Sequence, residues 1–299
     1  MTTSRAATVT VLRPDGVTQT ERRIAVEAPV AIEVDGLGYA VMMMTPADLP
    51  AFATGFLLTE RLADTPADIV DIDVFEGEPG WIVRVTLAER CRGRIHDRVR
   101  HRTSDTSCGL CGIAGLEQLR RPVAHRPPAP DVAPAALFAA LAGLRDHQPL
   151  NAETGAIHAA AACDASGAVI AAYEDVGRHN ALDKLVGGLA IARTGCAFIL
   201  VTSRISFEMV DKALIARAPL LVGISAPTSL AIDHAREHGL TLLALARSDA
   251  ILVVNDPCDR FRHPDDRQDP GFHASAPVAG IPDQVRDDGG VLRGDRTAP

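Results

Sequence analysis

The sequence predicts an α/β protein in which a mixed or largely parallel sheet is flanked by helices, behind a smaller α/β unit at the amino terminus. Two observations carry this. From about residue 154 short apolar runs alternate with amphipathic stretches, the pattern of a parallel sheet with right-handed crossovers. The first hundred residues instead show a hairpin, a helix start and a further strand. At 299 residues and 47% hydrophobic content, the chain can build one large domain and a smaller one. The expected boundaries are 1–103 for the smaller unit, 104–262 for the larger, and 263–299 for a tail.

In the first unit, 30–34 and 39–44 flank Asp35-Gly36, a hairpin signal. Thr45, Pro46 and Asp48 then combine an N-cap, a proline at the first helical position and an acid at the third, so a helix should start there. Pro50 makes Asp48 the alternative cap. The helix runs through Phe52, Phe56 and Leu57 toward Glu60, and 81–87 reads as a strand. An arginine run follows: Arg90, Arg92, Arg94, Arg98, Arg100 and Arg102, interrupted by Asp97. In a chain of net charge −8 this is a local patch, and the overall charge argues against a general nucleic-acid binder.

Beyond it, 113–119 reads as a short helix, Pro122 to Pro134 as a proline-rich linker and 135–144 as a helix. Strands are then expected at 168–173, 198–202, 220–224 and 241–246, and helices at 180–192, 207–216 and 229–237, the last stopped by Gly239. From 263 the chain has no apolar periodicity and many Pro, Gly and Asp, the composition of a disordered tail. The start, Met1 to Arg5, has no apolar h-region and no apolar run is long enough for a bilayer, so the expectation is a cytoplasmic protein away from membranes.

Six cysteines without a secretory signal point to a reducing compartment, where thiols serve chemistry or metals. Two of them, Cys108 and Cys111, form a C-x-x-C with Gly109 inside it and Gly112 after it. Small neighbours leave the sulfurs accessible, and nearby arginines favour the reactive thiolate. Three readings compete: half of a zinc site, a disulfide redox pair, or a sulfur carrier. A closed zinc site needs four ligands. The H-x₃-H of His234 and His238 lies far outside finger spacing and reads as a solvated helix face, so no metal is expected. A redox pair remains possible, although this C-x-x-C precedes the βαβ region. Sulfur transfer needs a reactive cysteine on a mobile, accessible loop, which the glycines and the linker provide.

The strand ends are unusually polar. They read Glu174 to Asn180 (with Arg178 and His179), Ser203 to Ser206 (with Arg204), Ser225 to Ser229 (with Thr228), and Arg247 to Asp249. In open parallel sheets ligands bind outside the carboxyl ends of the strands. Three of these stretches run into a helix N-terminus, which favours anions. Together they describe a phosphate or nucleotide crevice holding Arg178, Arg204 and Arg247. The plainer account makes Ser206 and Thr228 N-caps and pairs Asp175 with Arg178. His158 and His179 read as hydrogen-bonding loop residues rather than general acids. The chain has two lysines, Lys184 and Lys212. They are either positions that need a compact ammonium or solvated helix positions.

Taken jointly, Cys108-Gly-Leu-Cys111-Gly, the stretch Glu174 to Lys184, the stretch Ser203 to Lys212 and Ser225 to Leu230 resemble the formate dehydrogenase accessory sulfurtransferase family. Thr45-Pro46 and Gly55 to Glu60 are similar too, and the likeness spans about residues 25 to 260. The resemblance implies a cytidine-deaminase-like fold, a homodimer, and a sulfur carrier. In that role the protein takes sulfur from a cysteine desulfurase as a persulfide. It delivers the sulfur to the molybdenum (or tungsten) bis-guanine-dinucleotide cofactor destined for formate dehydrogenase. By motif position Cys108 would hold the persulfide, with Cys111 as its partner, and no zinc is implied. The cofactor-binding stretch would be Leu245, Ala246, Arg247, Ser248, Asp249 and Ala250, with Arg178, His179, Arg204, Ser225, Thr228 and Ser229 around it. In that stretch only Arg247 matches the family's aromatic-x-Arg-Gly character, and the family's Thr-Gly-Gly-x-His reads Thr154 to His158. The alternative is a chaperone that binds the cofactor and apo-enzyme without moving sulfur.

Overall fold

The computed structural model describes residues 2–99, 123 and 125–261. The C-x-x-C, the stretch 113–119 and the tail from 263 therefore lie outside the described residues. Three sheets organise the rest. Strands β1 (Ser4–Arg13) and β2 (Gly16–Ala25) form an antiparallel ribbon that is mostly exposed, with Ala7, Val9 and Val11 half-buried along one side of β1. Its marks in the sequence are the short alternation Thr8-Val9-Thr10-Val11 and the turn residues Pro14-Asp15-Gly16. Strands β3 (Ala28–Val34), β4 (Leu37–Met44), β5 (Ile69–Glu76) and β6 (Trp81–Leu87) form a second sheet, in the order β4-β3-β6-β5. The β3–β4 turn is the expected one, with both Asp35 (φ 50°) and Gly36 (φ 79°) left-handed.

Helix α1 (Leu49–Thr59) covers this sheet. It begins after Asp48, with Pro50 in its first turn where a missing N–H costs nothing, so Thr45 is not its cap. Thr45 belongs instead to the far loop: its amide donates to Asp175 and its hydroxyl accepts from the Val176 amide. Helix α2 (Glu89–Val99) takes the start of the arginine run, and Cys91 and Ile95, one turn apart, bury its inner face.

The third sheet has the order β12-β11-β10-β9-β7-β8. It is built from β7 (His158–Cys163), β8 (Val169–Asp175), β9 (Phe198–Val201), β10 (Leu220–Gly223), β11 (Thr241–Ala244) and β12 (Leu252–Asn255). Strands β9, β10 and β11 are parallel, as expected. The sheet is nevertheless mixed, because β12 pairs antiparallel with β11, and β7 runs antiparallel to both β8 and β9. Two antiparallel pairings leave β8 pointing the same way as β9. All four polar strand ends therefore do emerge at one edge, and the amino end of the reversed strand joins them there.

Helices α5 (Arg178–Ala192), α6 (Phe207–Ile215) and α7 (Ser229–His238) pack on one face of this sheet around Leu182, Leu185, Met209 and Leu214. Helix α3 (Pro134–Gly143) lies on the other, around Leu137, Phe198 and Leu243. The short α4 (Pro149–Thr154) leads into β7.

Helix α1 packs directly on α5, with Gly55 and Gly187 at the crossing. A methyl group on Gly55 would overlap the Asp183 carbonyl and stand 2.7 Å from the Gly187 amide nitrogen; one on Gly187 would overlap the Ala51 carbonyl. The core of the four-stranded sheet meets that of the six-stranded sheet along this seam.

Both lysines sit on the same seam, which settles the choice left open by their scarcity. Lys184 is fully buried, 2.7 Å from Asp175 and donating to the carbonyls of Thr45 and Glu174. Lys212 is also buried and donates to both carboxylate oxygens of Asp183 at 2.7 and 2.9 Å and to the Thr59 hydroxyl. Neither is a solvated helix position.

Candidate functional site at the carboxyl edge of the six-stranded sheet

The loops at this edge are knitted to one another in sheet order. Ile205, after β9, pairs with the loop after β10 through the Ala226 carbonyl and the Thr228 amide. The amides of Leu245 and Ala246, after β11, donate to Ser225 and Gly223. The polar stretches thus form one continuous rim.

Arg178 opens α5, and its Nε is buried without a hydrogen-bond partner among the described residues. The sequence pairing of Asp175 with Arg178 is not found. The Asp175 carboxylate is committed to Lys184, the Thr45 and Gly177 amides and Asn180, so it shapes the loop rather than pairing with Arg178. Glu174 is likewise structural: its two oxygens accept from the Leu150 and Asn151 amides at the start of α4.

His179 Nε2 lies 3.4 Å from the Ser206 hydroxyl and 3.5 Å from Glu208, and Ser206 donates to Glu208 at 3.0 Å. Burial pushes the Glu208 carboxyl up, but the bonds to His179 and Ser206 outweigh it and hold the group below its usual range. Ser206 holds the N-cap position of α6 without capping it, whereas Thr228 is a working cap, its hydroxyl accepting from the Ala231 amide. Arg204, Ser229 and the stretch Arg247 to Ala250 are exposed along the rim, and Ser225 is half-buried. Arg247 donates to the carbonyls of Ile224 and Ala246, and Ala246 itself lies in the core.

One residue that sequence reasoning set aside stands at the centre. His158 begins the reversed strand β7 and so lies between the ends of β8 and β9. Burial lowers its pKa first, and the charge of Arg178 second, with His179 and Arg204 adding to the same effect and Asp175 opposing it. His158 therefore lies in the electrostatic field of Arg178, His179 and Arg204. The signal that could have found it was the strand itself, which a run of four alanines concealed.

His158 is expected to titrate below the ordinary histidine value of about 6.5, and in an Arg178→Ala variant to move back toward it. The sign follows from the depressed folded value. Its contribution to stability is present above the unfolded pKa and is lost as pH falls through the folded one. An NMR titration with a midpoint at or above the ordinary value would remove His158 from this cationic cluster.

The arginine run does not act as a free cationic patch over its described part. Arg90 pairs with Asp64 and Asp68, Arg92 with Glu89 and Asp35, and Arg94 with Asp64. The buried Cys91 and Cys163 and the half-buried Cys196 are held as thiols: burial raises Cys91, lifts Cys163 to about 12 and lifts Cys196 to about 11. His234 is buried rather than solvated, against Phe207 and Asp211. No helix among the described residues is long and apolar enough to cross a membrane.

A family model, the FdhD/NarQ family, matches residues 25–260. The chain is 42% identical over 247 residues to the sulfur carrier protein FdhD of Bordetella parapertussis, covering 78% of this chain and 86% of that one. It is 42% identical over 266 residues to the protein of the same name from Xanthomonas campestris pv. campestris, covering 83% and 93%. A crystal structure described as that of a formate dehydrogenase accessory protein from Desulfotalea psychrophila superposes with a TM-score of 0.68 at 25% identity, over 86% of this chain and 99% of that one.

Proposed function

The chain belongs to the FdhD/NarQ family, and from that premise we infer that it is a cytoplasmic sulfur carrier serving formate dehydrogenase. The Cys108 thiolate attacks the terminal sulfur of a cysteine desulfurase's persulfide. A new S–S bond forms at Cys108, and the desulfurase cysteine leaves as its thiolate. Cys111 is the partner thiol. The sulfur then passes to the molybdenum bis(molybdopterin guanine dinucleotide) cofactor, which is bound as substrate before its insertion into the client enzyme. The names borne by the relatives support the carrier role. The observation that carries the cofactor part is the rim itself. Arg178, its Nε unpartnered among the described residues, and exposed Arg204 and Arg247 face one edge, with the N-terminus of α5 opening beside them. Guanidinium groups in that arrangement suit the phosphates of a dinucleotide. The mixed sheet, in which β7 and the edge strand β12 run against the other four, supports a cytidine-deaminase-like reading of the fold, and we take the working form to be a homodimer.

Incubation with a cysteine desulfurase and cysteine should add one sulfur to the wild type and none to Cys108→Ala, read by intact-protein mass spectrometry. Equal loading of the variant overturns the assignment. The competing reading is a chaperone that holds the cofactor without moving sulfur, because no cysteine stands among the described residues of the rim. It predicts full client activity when both Cys108 and Cys111 are alanine; the carrier predicts none.

Guanosine diphosphate should bind the rim as one arm of the cofactor. Arg204→Ala should weaken it by about tenfold to a hundredfold, the worth of one charge-assisted contact of roughly 1.5–3 kcal/mol. Sulfur loading at Cys108 should be unchanged. Undiminished binding by Arg204→Ala, measured by calorimetry, would place the nucleotide elsewhere.

A further inference from the structure

The last turn of α7 gathers side chains that the rim does not use. His234, Glu237 and His238 each present a ligand-type atom, and these atoms all lie within 4.8 Å of one another. Positions i, i+3 and i+4 share one helix face, so this grouping follows from the helix. Its orientation follows from two hydrogen bonds. His234 Nε2 lies 3.3 Å from an Asp211 carboxylate oxygen. A carboxylate only accepts, so Nε2 carries the proton and Nδ1 keeps its lone pair. His238 Nδ1 lies 3.1 Å from the His234 carbonyl oxygen, also an obligate acceptor, so there Nε2 keeps the lone pair. Each imidazole, so bonded, keeps a lone pair on its other ring nitrogen.

His234 has the support that a metal-binding histidine ordinarily has, a carboxylate on its other N–H. Asp211 is itself anchored by Arg61 at 2.8 Å. His234 is 5% exposed, its ring packed 4.2 Å from that of Phe207 and 4.4 Å from that of His238. His238 is half-buried and Glu237 exposed, which leaves the open side toward solvent. The other grouping of ligand-type atoms among the described residues, Asp64, Asp68 and Cys91, differs in kind, since Arg90 and Arg94 already neutralise its carboxylates.

We propose that His234, Glu237 and His238 form a site for a divalent transition metal of the zinc type, with Asp211 as the positioning residue behind His234. Two imidazole nitrogens and one carboxylate oxygen suit that class of ion and leave a coordination position for water. The site lies away from the rim. Helix α7 starts beside the carboxyl end of β10 and finishes at the amino end of β11, so its last turn stands at the opposite edge of the sheet. An ion there would pin the end of α7 to α6 through Asp211 and stabilise the fold by mass action. The spacing that ruled out a joint site with Cys108 and Cys111 does not bear on a site made without them.

The test uses full-length, tag-free protein carrying Cys108→Ser and Cys111→Ser, so that those thiols cannot hold the probe. Zinc titrated by calorimetry should bind one per chain and raise Tm, and cobalt should give visible absorption bands of a nitrogen- and oxygen-bound ion. His238→Ala, at a half-buried position, should weaken zinc at least tenfold, as should Glu237→Gln. Asp211→Asn should weaken it about tenfold to a hundredfold, as loss of the group that orients a ligand does. No zinc binding at micromolar concentration, or binding that His238→Ala and Glu237→Gln leave unchanged, overturns the proposal.

Discussion

Replacing Lys212 with methionine is expected to destabilise the fold by about 3–5 kcal/mol, the cost of leaving a buried charge without its partner. Asp183 is buried with Lys212 and Thr59 as its partners, and burial already raises its pKa against the pull of Lys212. Without the ammonium that value must rise further. The folded pKa then lies well above the unfolded one, so stability is lost as pH rises through the window between them. The deficit of the variant should accordingly be largest near neutrality and shrink in mild acid. Adding Asp183→Asn to Lys212→Met removes the stranded charge and should recover most of the loss. Chemical denaturation at two pH values checks both statements. A Lys212→Met protein with the wild-type midpoint at neutral pH would show that the pair carries no such weight.

The second large effect is expected at the crossing of α1 and α5. Gly55→Ala and Gly187→Ala each drive a methyl group into backbone of the facing helix, which cannot rotate away as a side chain could. Overpacking costs about 1–3 kcal/mol where neighbours can adjust, and backbone contact places these two at the upper end. For a unit of this size, about 3 kcal/mol lowers Tm by about 6–12 °C. Gly143→Ala, where an added methyl meets nothing within 4 Å, is the control and should melt close to wild type. Equal melting of Gly55→Ala and the control would mean that the helices can separate at no cost.

These two predictions rest on contacts that no local pattern announces. Asp183 meets Thr59 across 124 positions and Lys212 across 29, and Lys184 meets Thr45 across 139. The scarcity of lysine marked both positions but could not choose between solvent and core. Strand β7 escaped notice for a different reason. His158–Cys163 is nearly all alanine and buried along most of its length, so it shows neither β-branched residues nor alternation. The ribbon of β1 and β2 carried only a short alternation, Thr8-Val9-Thr10-Val11, with a face that is no more than half-buried. Helix α2 was hidden by Gly93 and by arginines whose acids lie on the segment before β5 and on the β3–β4 turn.

The amino-acid sequence by itself determined what depends on neighbours a few residues away. It determined the hairpin at Asp35-Gly36, the strand at Trp81–Leu87, the alternation of β9, β10 and β11 with their helices, the end of α7 at Gly239, and the polar residues at each strand end. Turn chemistry, caps and helical periodicity act over one or two turns of chain, and these features need nothing more. The tertiary structure alone decided which of those polar groups stay free to meet a ligand. Asp175 and Glu174 are consumed by Lys184 and by α4, Arg178 is left without a partner among the described residues, and a reversed strand brings His158 between them. Charge is compensated by whatever the fold packs against it, and that partner is set by sheet order and helix crossing rather than by adjacency along the chain.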